Sequence, residues 1–413
     1  MNKIKKNQNE KKYMILIIGI IVIQVVRYFP FKFGGWNQIQ LSFNYSYGFI
    51  QRAFLGSVLD LVSKLFHIPW GYMRYIYGIV TMFTFSLLLL VILYRCLLRT
   101  HDDENMQKFF MGMGILFFMG PGWNTQYSNF ALTDVWMVIL SGLGAYVIYK
   151  GKTIWLTFLI SIICILIHPA YVFLYFNVIL VAFTYKFICD KSDANKKYIG
   201  WGVVTLIIDS ILFIYMMFFA HAKEGITIEY VMQRTAEFVN KSVEEIQNHE
   251  TTISGYLFRE GDVSGVQMVI SQWWLILVVM IILFLPFIFE VCRYWKNVVS
   301  ASKETESNKW WIYACMPFGI VTSIPIYLMH NDYGRWTYAV FFYEFSLIWI
   351  LNMIKDNNIM AATQKLLQRI KINKVYYMVL LFYATVLGAF EQNLVSPLIS
   401  TIESYCWKII ELL

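Results

Sequence analysis

The chain has 413 residues, 58% of them hydrophobic, 18% aromatic and only 15% charged, with a mean hydropathy of +0.55. A soluble domain carries about 45–50% apolar and about 25% charged residues, so this composition excludes a soluble enzyme, a secreted disulfide scaffold and a disordered chain. The formal charge of +8 would suit nucleic acid in a soluble domain, but in so apolar a chain it reads as topology, and nucleic acid is not an expected partner.

Met1 to Lys12 carries five lysines and then enters an apolar run at Tyr13. No small-residue cleavage site follows, Phe29-Pro30-Phe31-Lys32 being a poor one, so a retained first helix with a cytoplasmic N-terminus is expected. Apolar runs near 13–31, 74–98, 109–121, 132–149, 153–167, 170–188, 199–219, 270–292, 310–329, 337–354 and 375–391 predict about eleven transmembrane helices, with ten to twelve as the range. A short amphipathic tail at 397–412 either adds the twelfth or lies on the surface. The runs at 109–121 and 153–167 are short enough to be tilted, broken or re-entrant. The fold class expected is therefore an all-α polytopic membrane protein, a single transmembrane domain over 1–413 in the cytoplasmic membrane. Its six cysteines show no metal or redox spacing and read as small buried hydrophobes; no metal and no cofactor is expected.

With the N-terminus inside, 23 of the 34 basic residues fall in cytoplasmic segments, as the positive-inside rule requires. The opposite loops are poor in lysine and hold the polar and aromatic motifs: Phe33 to Arg52, Gly120 to Asp134, His168-Pro169, 220–269 and His330 to Trp336. Within 220–269, Thr227 to Gln247 mixes apolar residues and charges at helical spacing, which predicts an amphipathic helix over the membrane or over a cavity.

Four places on that face carry candidate chemistry. His330-Asn331-Asp332-Tyr333-Gly334-Arg335-Trp336 is wedged between two apolar runs, where ionisable groups default to functional roles; the plain reading pairs Asp332 with Arg335. Tyr47-Gly48-Phe49-Ile50-Gln51-Arg52 ends on an arginine among aromatic and small residues, alternatively a snorkelling interfacial side chain. Asp134 follows Trp123-Asn124-Thr125-Gln126-Tyr127-Ser128-Asn129 and serves either a substrate or the N-terminus of its own helix. His168-Pro169 separates two apolar runs, and His168 is as readily a satisfied core residue as a base.

Arginines with histidines and carboxylates suit an anionic substrate and a nearby proton transfer. Arg52 and Arg335 would grip phosphate oxygens bidentately, and His330, His168, Asp332 or Asp134 would act as general base. Tyr47 and Trp336 would stack on sugar faces, although interfacial aromatic belts also put Trp and Tyr there.

The span layout, with Tyr47-Gly48-Phe49-Ile50-Gln51-Arg52, Gly56 and Asn331-Asp332-Tyr333-Gly334-Arg335-Trp336, resembles bacterial surface-polysaccharide polymerases and related polyprenyl-linked-sugar membrane glycosyltransferases of capsule, exopolysaccharide or O-antigen assembly. The resemblance implies transfer or polymerisation of sugars carried on polyprenyl (di)phosphate at the outer face, without metal, in the company of membrane lipid and other polysaccharide-assembly proteins. Glycosyltransferases of the polyprenyl-phosphate-sugar type usually supply a catalytic carboxylate from the first outer loop, and Phe31 to Arg52 contains no Asp or Glu. That departure favours a polymerase, with a single-sugar transferase, using Asp134 or Asp332, and a flippase or exporter of lipid-linked sugars as the alternatives.

Overall fold

In the computed structural model, the described residues are 11, 13–19, 21–22, 25–26, 33, 35–99, 103–119, 130, 132–189, 195–258, 274–305, 309–329, 333–369 and 373–389. They form helices, with no strand and a single isolated bridge between Phe33 and Phe130. The chain divides into two compact units, the first of Tyr28–Leu89 with Ser128–Val263, the second of Met1–Arg27, Leu90–Tyr127 and Ser264–Leu413.

The first unit is built on an antiparallel helix pair. Helix α5 (Asp134–Lys150) and helix α6 (Trp155–Ile167) are joined by a short turn at Gly151, whose φ of 72° is left-handed and whose N–H closes on Ile148 and Val147 carbonyls at 2.9 and 3.1 Å. Glycine takes that conformation without a Cβ penalty. A one-turn helix α7 (Tyr171–Leu174) leads into α8 (Phe176–Cys189), and α9 (Lys196–Phe218) completes the bundle by packing on α6 and α8. Tyr149 of α5 meets Tyr185 of α8 at 5.3 Å, so these two helices run the same way. Lys150, Lys186, Lys196 and Lys197 therefore collect at one end, where Lys186 and Lys197 lie over the Tyr198 ring at 5.4 and 5.1 Å. Asp134, His168 and Phe218 mark the other end.

At that other end sits a cap made of α1 (Gly35–Ser42), the turn Tyr45–Tyr47, α2 (Ala53–Phe66), the turn Trp70–Tyr72 opening α3 (Met73–Arg99), and three helices from further along the chain, α10 (Ile228–Val239), α11 (Val243–Ile246) and α12 (Glu250–Phe258). They share one core that includes Ile39, Phe43, Ile50, Val231, Phe238, Ile253 and Leu257. The amphipathic stretch expected over Thr227 to Gln247 is broken at Asn240, whose φ is 51°, into α10 and the short α11. Thr227 caps α10, and Val231, Met232, Thr235, Ala236, Phe238 and Val239 are buried on one side. Its apolar face closes the cap's own core. The Gln51 amide donates to the Met216 carbonyl at 2.6 Å and Lys223 N–H to the Tyr47 carbonyl at 2.8 Å, which fastens the cap to the end of α9.

The second unit contains helix α4 (Glu104–Met119), the long α13 (Trp274–Thr305), α14 (Trp310–Cys315), a 3-10 stretch Met316–Ser323, α15 (Ile324–Met329), α16 (Tyr333–Met353), α17 (Asn357–Arg369) and α18 (Lys374–Ala389). Phe287 stacks on Phe341 at 4.1 Å, and Phe117, Phe345 and Trp349 continue the aromatic packing between α4 and α16. The chain bends by 109° between α16 and α17, where Lys355 has a φ of 66° and Asp356 accepts from the Ile359 N–H at 3.0 Å.

Among the described residues two helices are long and apolar enough to cross a membrane, Trp70–Arg95 and Lys196–Phe218, and the bent pair Tyr338–Met353 with Asn357–Arg369 makes a third if it counts as one. Only 17% of the apolar window of Lys196–Phe218 is buried, so Ile207, Ile211 and Ile214 face outward. The runs read at 132–149, 153–167 and 170–188 become helices of 17, 13 and 14 residues. At 1.5 Å per residue the shortest is about 20 Å long, against a hydrocarbon core of about 30 Å. The sequence already separates these runs at Gly151 and His168-Pro169, where the backbone also breaks, but each piece is shorter than a straight span needs. The tail at 397–412, and parts of the runs at 13–31 and 270–292, lie outside the described residues.

One contact fixes how α1 and α2 cross. A Cβ on Gly56 would stand 1.8 Å from the Phe43 carbonyl oxygen and 2.7 Å from that of Leu41. Both neighbours are backbone and have no rotamer to yield with. Gly56→Ala is expected to lower stability by at least about 2 kcal/mol, read as a lower unfolding temperature in detergent; an unchanged temperature would contradict this packing.

Candidate functional site

The cap end of the first unit gathers the polar side chains. Arg52 sits at the N-cap of α2 with φ 61° and ψ 13°, a left-handed conformation unusual outside glycine. Its guanidinium lies over the Tyr256 ring at 4.4 Å, a cation–π contact. The preceding turn depends on Gly48, whose φ is 125° and where a Cβ would stand 2.8 Å from the Lys223 nitrogen. Tyr47, expected to stack on a sugar, is 1% exposed and meets Tyr230 edge-on at 6.1 Å, so its ring faces the cap core. Burial pushes its hydroxyl up to about 12.

Arg74 has no counterpart among the expected site residues. It begins α3 at 8% exposure, donating to Gln38 Oε1 at 2.9 Å, to the Val239 carbonyl, and to Tyr75 Oη at 2.9 Å. The Phe33 and Tyr75 rings lie under it at 5.5 and 4.7 Å. No carboxylate among the described residues pairs with it. The signal was present in the sequence: Arg74 is one of the eleven basic residues outside the cytoplasmic set, at the edge of an apolar run.

Asp134 and His168 share the cap end because the α5–α6 pair is antiparallel. Asp134 is 1% exposed in the first turn of α5; its neighbour Thr133 makes no side-chain cap, and Trp136 donates to Thr81 Oγ1 at 3.0 Å. His168 is 6% exposed and ends α6; its Nδ1 accepts the Ala170 N–H at 3.1 Å, which leaves Nε2 to carry the proton of a neutral ring.

Deeper in the bundle lies a polar group that hydropathy conceals. Asp209, 1% exposed on α9, accepts from the Ser161 hydroxyl of α6, and Ser161 Oγ is 2.8 Å from the Tyr171 hydroxyl. In the second unit the corresponding buried carboxylate is Glu344, 3% exposed, accepting from Trp295 Nε1 at 2.8 Å. A single Asp or Glu in an apolar run has no local signature; its burial is set by neighbouring helices.

Arg335 and Trp336 lie in the first turn of α16, in the second unit, while their side chains, together with His330, Asn331 and Asp332, lie outside the described residues. So does the stretch from Gly120 to Asn129. Among the described residues no group of three or more His, Cys, Asp or Glu is placed to hold a metal ion.

Arg74→Ala strips three hydrogen-bonded acceptors of a buried charged donor and is expected to cost about 2–4 kcal/mol. The unfolding temperature of the purified variant tests this, and a value equal to that of the wild type would contradict it.

Compared with family models, with curated proteins and with solved structures, the chain finds no match in any of the three.

Proposed function

We propose that the chain is a multi-pass protein of the cytoplasmic membrane, N-terminus inside, that transfers or polymerises polyprenyl-(di)phosphate-linked sugars at the outer face during surface polysaccharide assembly. The observation that carries this reading is the polarity of the first unit. Lys150, Lys152, Lys186, Lys196 and Lys197 collect at one end, while Arg52, Arg74, Asp134 and His168 lie at the other, beneath or within a cap rich in aromatic residues that carries the fewer lysines Lys64, Lys223 and Lys241. A lysine-rich end belongs in the cytoplasm, which turns the cap outward. The outward-facing apolar side chains of α9 suit lipid tails.

In this reading Arg52, in the first unit, binds a phosphate of a lipid-linked sugar, and Arg335, in the second, is a phosphate-binding candidate in its own right. Arg74 keeps the cap in register beside Arg52. His168, Asp134, His330 or Asp332 removes the acceptor hydroxyl proton. Leaving-group charge is stabilised by guanidinium, so positioning and electrostatics provide most of the rate, and no metal ion is required. A single-sugar transferase is the second reading, favoured by the buried carboxylate of Asp134 at the cap end; a flippase or exporter of lipid-linked sugars is the third, with Asp209 deep in the bundle as the residue that favours it.

Arg52→Ala with Arg335→Ala in the native host is expected to abolish long glycan while the variant protein inserts normally. Wild-type chain lengths from that double variant would overturn the polymerase reading. Asp134→Asn and Asp332→Asn separate the alternatives: a transferase loses single-sugar addition in one of them, and full addition in both removes it.

A further inference from the structure

The Asp209 cluster is unused by the proposed transfer chemistry, and its oxygen atoms are unevenly satisfied. Asp209 accepts from Ser161 through Oδ2, while Oδ1 is buried and has no hydrogen-bond partner. Ser161 Oγ is 2.8 Å from Tyr171 Oη. Since Ser161 donates to the carboxylate, the Tyr171 hydroxyl donates to Ser161 in turn. Ser141 of α5, also buried, lies within side-chain hydrogen-bond reach of Tyr171 and Cys164. The titratable groups facing Asp209 from α6 and α7 are the Cys164 thiol and the Tyr171 phenol; among the described residues no Lys, Arg or His pairs with it.

A carboxylate buried without a countercharge is costly and requires neutralisation. Four oxygen-bearing side chains from four helices, α5, α6, α7 and α9, converge here, and Asp209 Oδ1 has acceptor positions to spare. Oxygen-only surroundings of this kind suit a hard cation. We infer that Asp209, Ser161, Tyr171 and Ser141 form a binding site for a sodium-sized monovalent cation inside the first unit. The cation would tie α9 to the α5–α6 pair, and its occupancy would be felt as stability of the bundle. The site is independent of the cap arginines and of the substrate reading.

The test is thermal unfolding of the intact protein in detergent, with NaCl titrated against choline chloride at constant ionic strength and fixed pH. Ligand that binds only the folded state raises the midpoint, so the wild-type midpoint is expected to climb with sodium and to saturate, and Asp209→Asn to remove the response. Ser161→Ala and Ser141→Ala, milder changes that preserve the helices, are expected to raise the half-saturating sodium concentration at least about tenfold, the loss of roughly one ligand contact. Equal effects of sodium and choline would overturn the site, as would a sodium response that survives Asp209→Asn. Stabilisation by acid alone, without sodium dependence, would assign the charge to a proton and overturn the proposal too. Should Asp209→Asn fail to fold, unchanged half-saturation in both serine variants would be the contradicting result.

Discussion

The turn at Gly151 sets the polarity of the α5–α6 pair on which the first unit is built. By reversing the chain between α5 and α6 with a left-handed glycine, it sets Asp134 and His168 at one end and Lys150 at the other. The same reversal brings Tyr198 against the turn, where a Cβ on Gly151 would stand 2.6 Å from the tyrosine hydroxyl. The lysines of α8 and α9 gather around that ring. Asp134 and His168 are thus held apart from Lys150 by one tight reversal.

Across the bundle, apolar side chains face outward and polar ones inward on α9. The long α9 presents Ile207, Ile211 and Phe218 outward and turns Thr205 and Asp209 inward. Polar groups inside must find one another, and Ser161, Tyr171 and Asp209 do so across three helices. The cap follows ordinary aqueous rules. Helix α10 buries Val231 and Phe238, exposes Glu229 and Glu237, and begins with a threonine cap; α11 begins with a Ser242–Glu245 capping box. Glu229 and Glu244, in the first turns of these helices, are held below the usual carboxylate range, chiefly by backbone hydrogen bonds.

How much was legible in the sequence depended on how local the cause was. The helix after Thr227 carries its own periodicity and cap, and the structure has it at Ile228–Val239. His168-Pro169 was readable as a break between apolar runs, and α6 does end at Ile167. Span lengths were less readable, since an apolar run marks burial of its residues without saying whether the helix is long enough to cross a membrane. Arg74 and Asp209 were passed over for a different reason. A lone arginine at the edge of an apolar run looks like a snorkelling anchor until Val239, from more than 160 residues away, supplies its acceptor. Asp209 looks tolerable in a long apolar helix until Ser161 and Tyr171 enclose it. Tyr47 was read as an outward aromatic because the sequence cannot say which way a ring in a three-residue turn will face.

The claim on which the rest stands is that the cap and the lysine-rich end of the first unit face opposite sides of a membrane. Single cysteines placed at Ser46 in the cap and at Lys152 in the Gly151 turn, both exposed, in a background lacking the six native cysteines, report this directly through a membrane-impermeant maleimide. Labelling at position 46 in intact cells, and at position 152 only after permeabilisation, is the predicted result. Labelling of both positions in intact cells, or the reverse order, would contradict it.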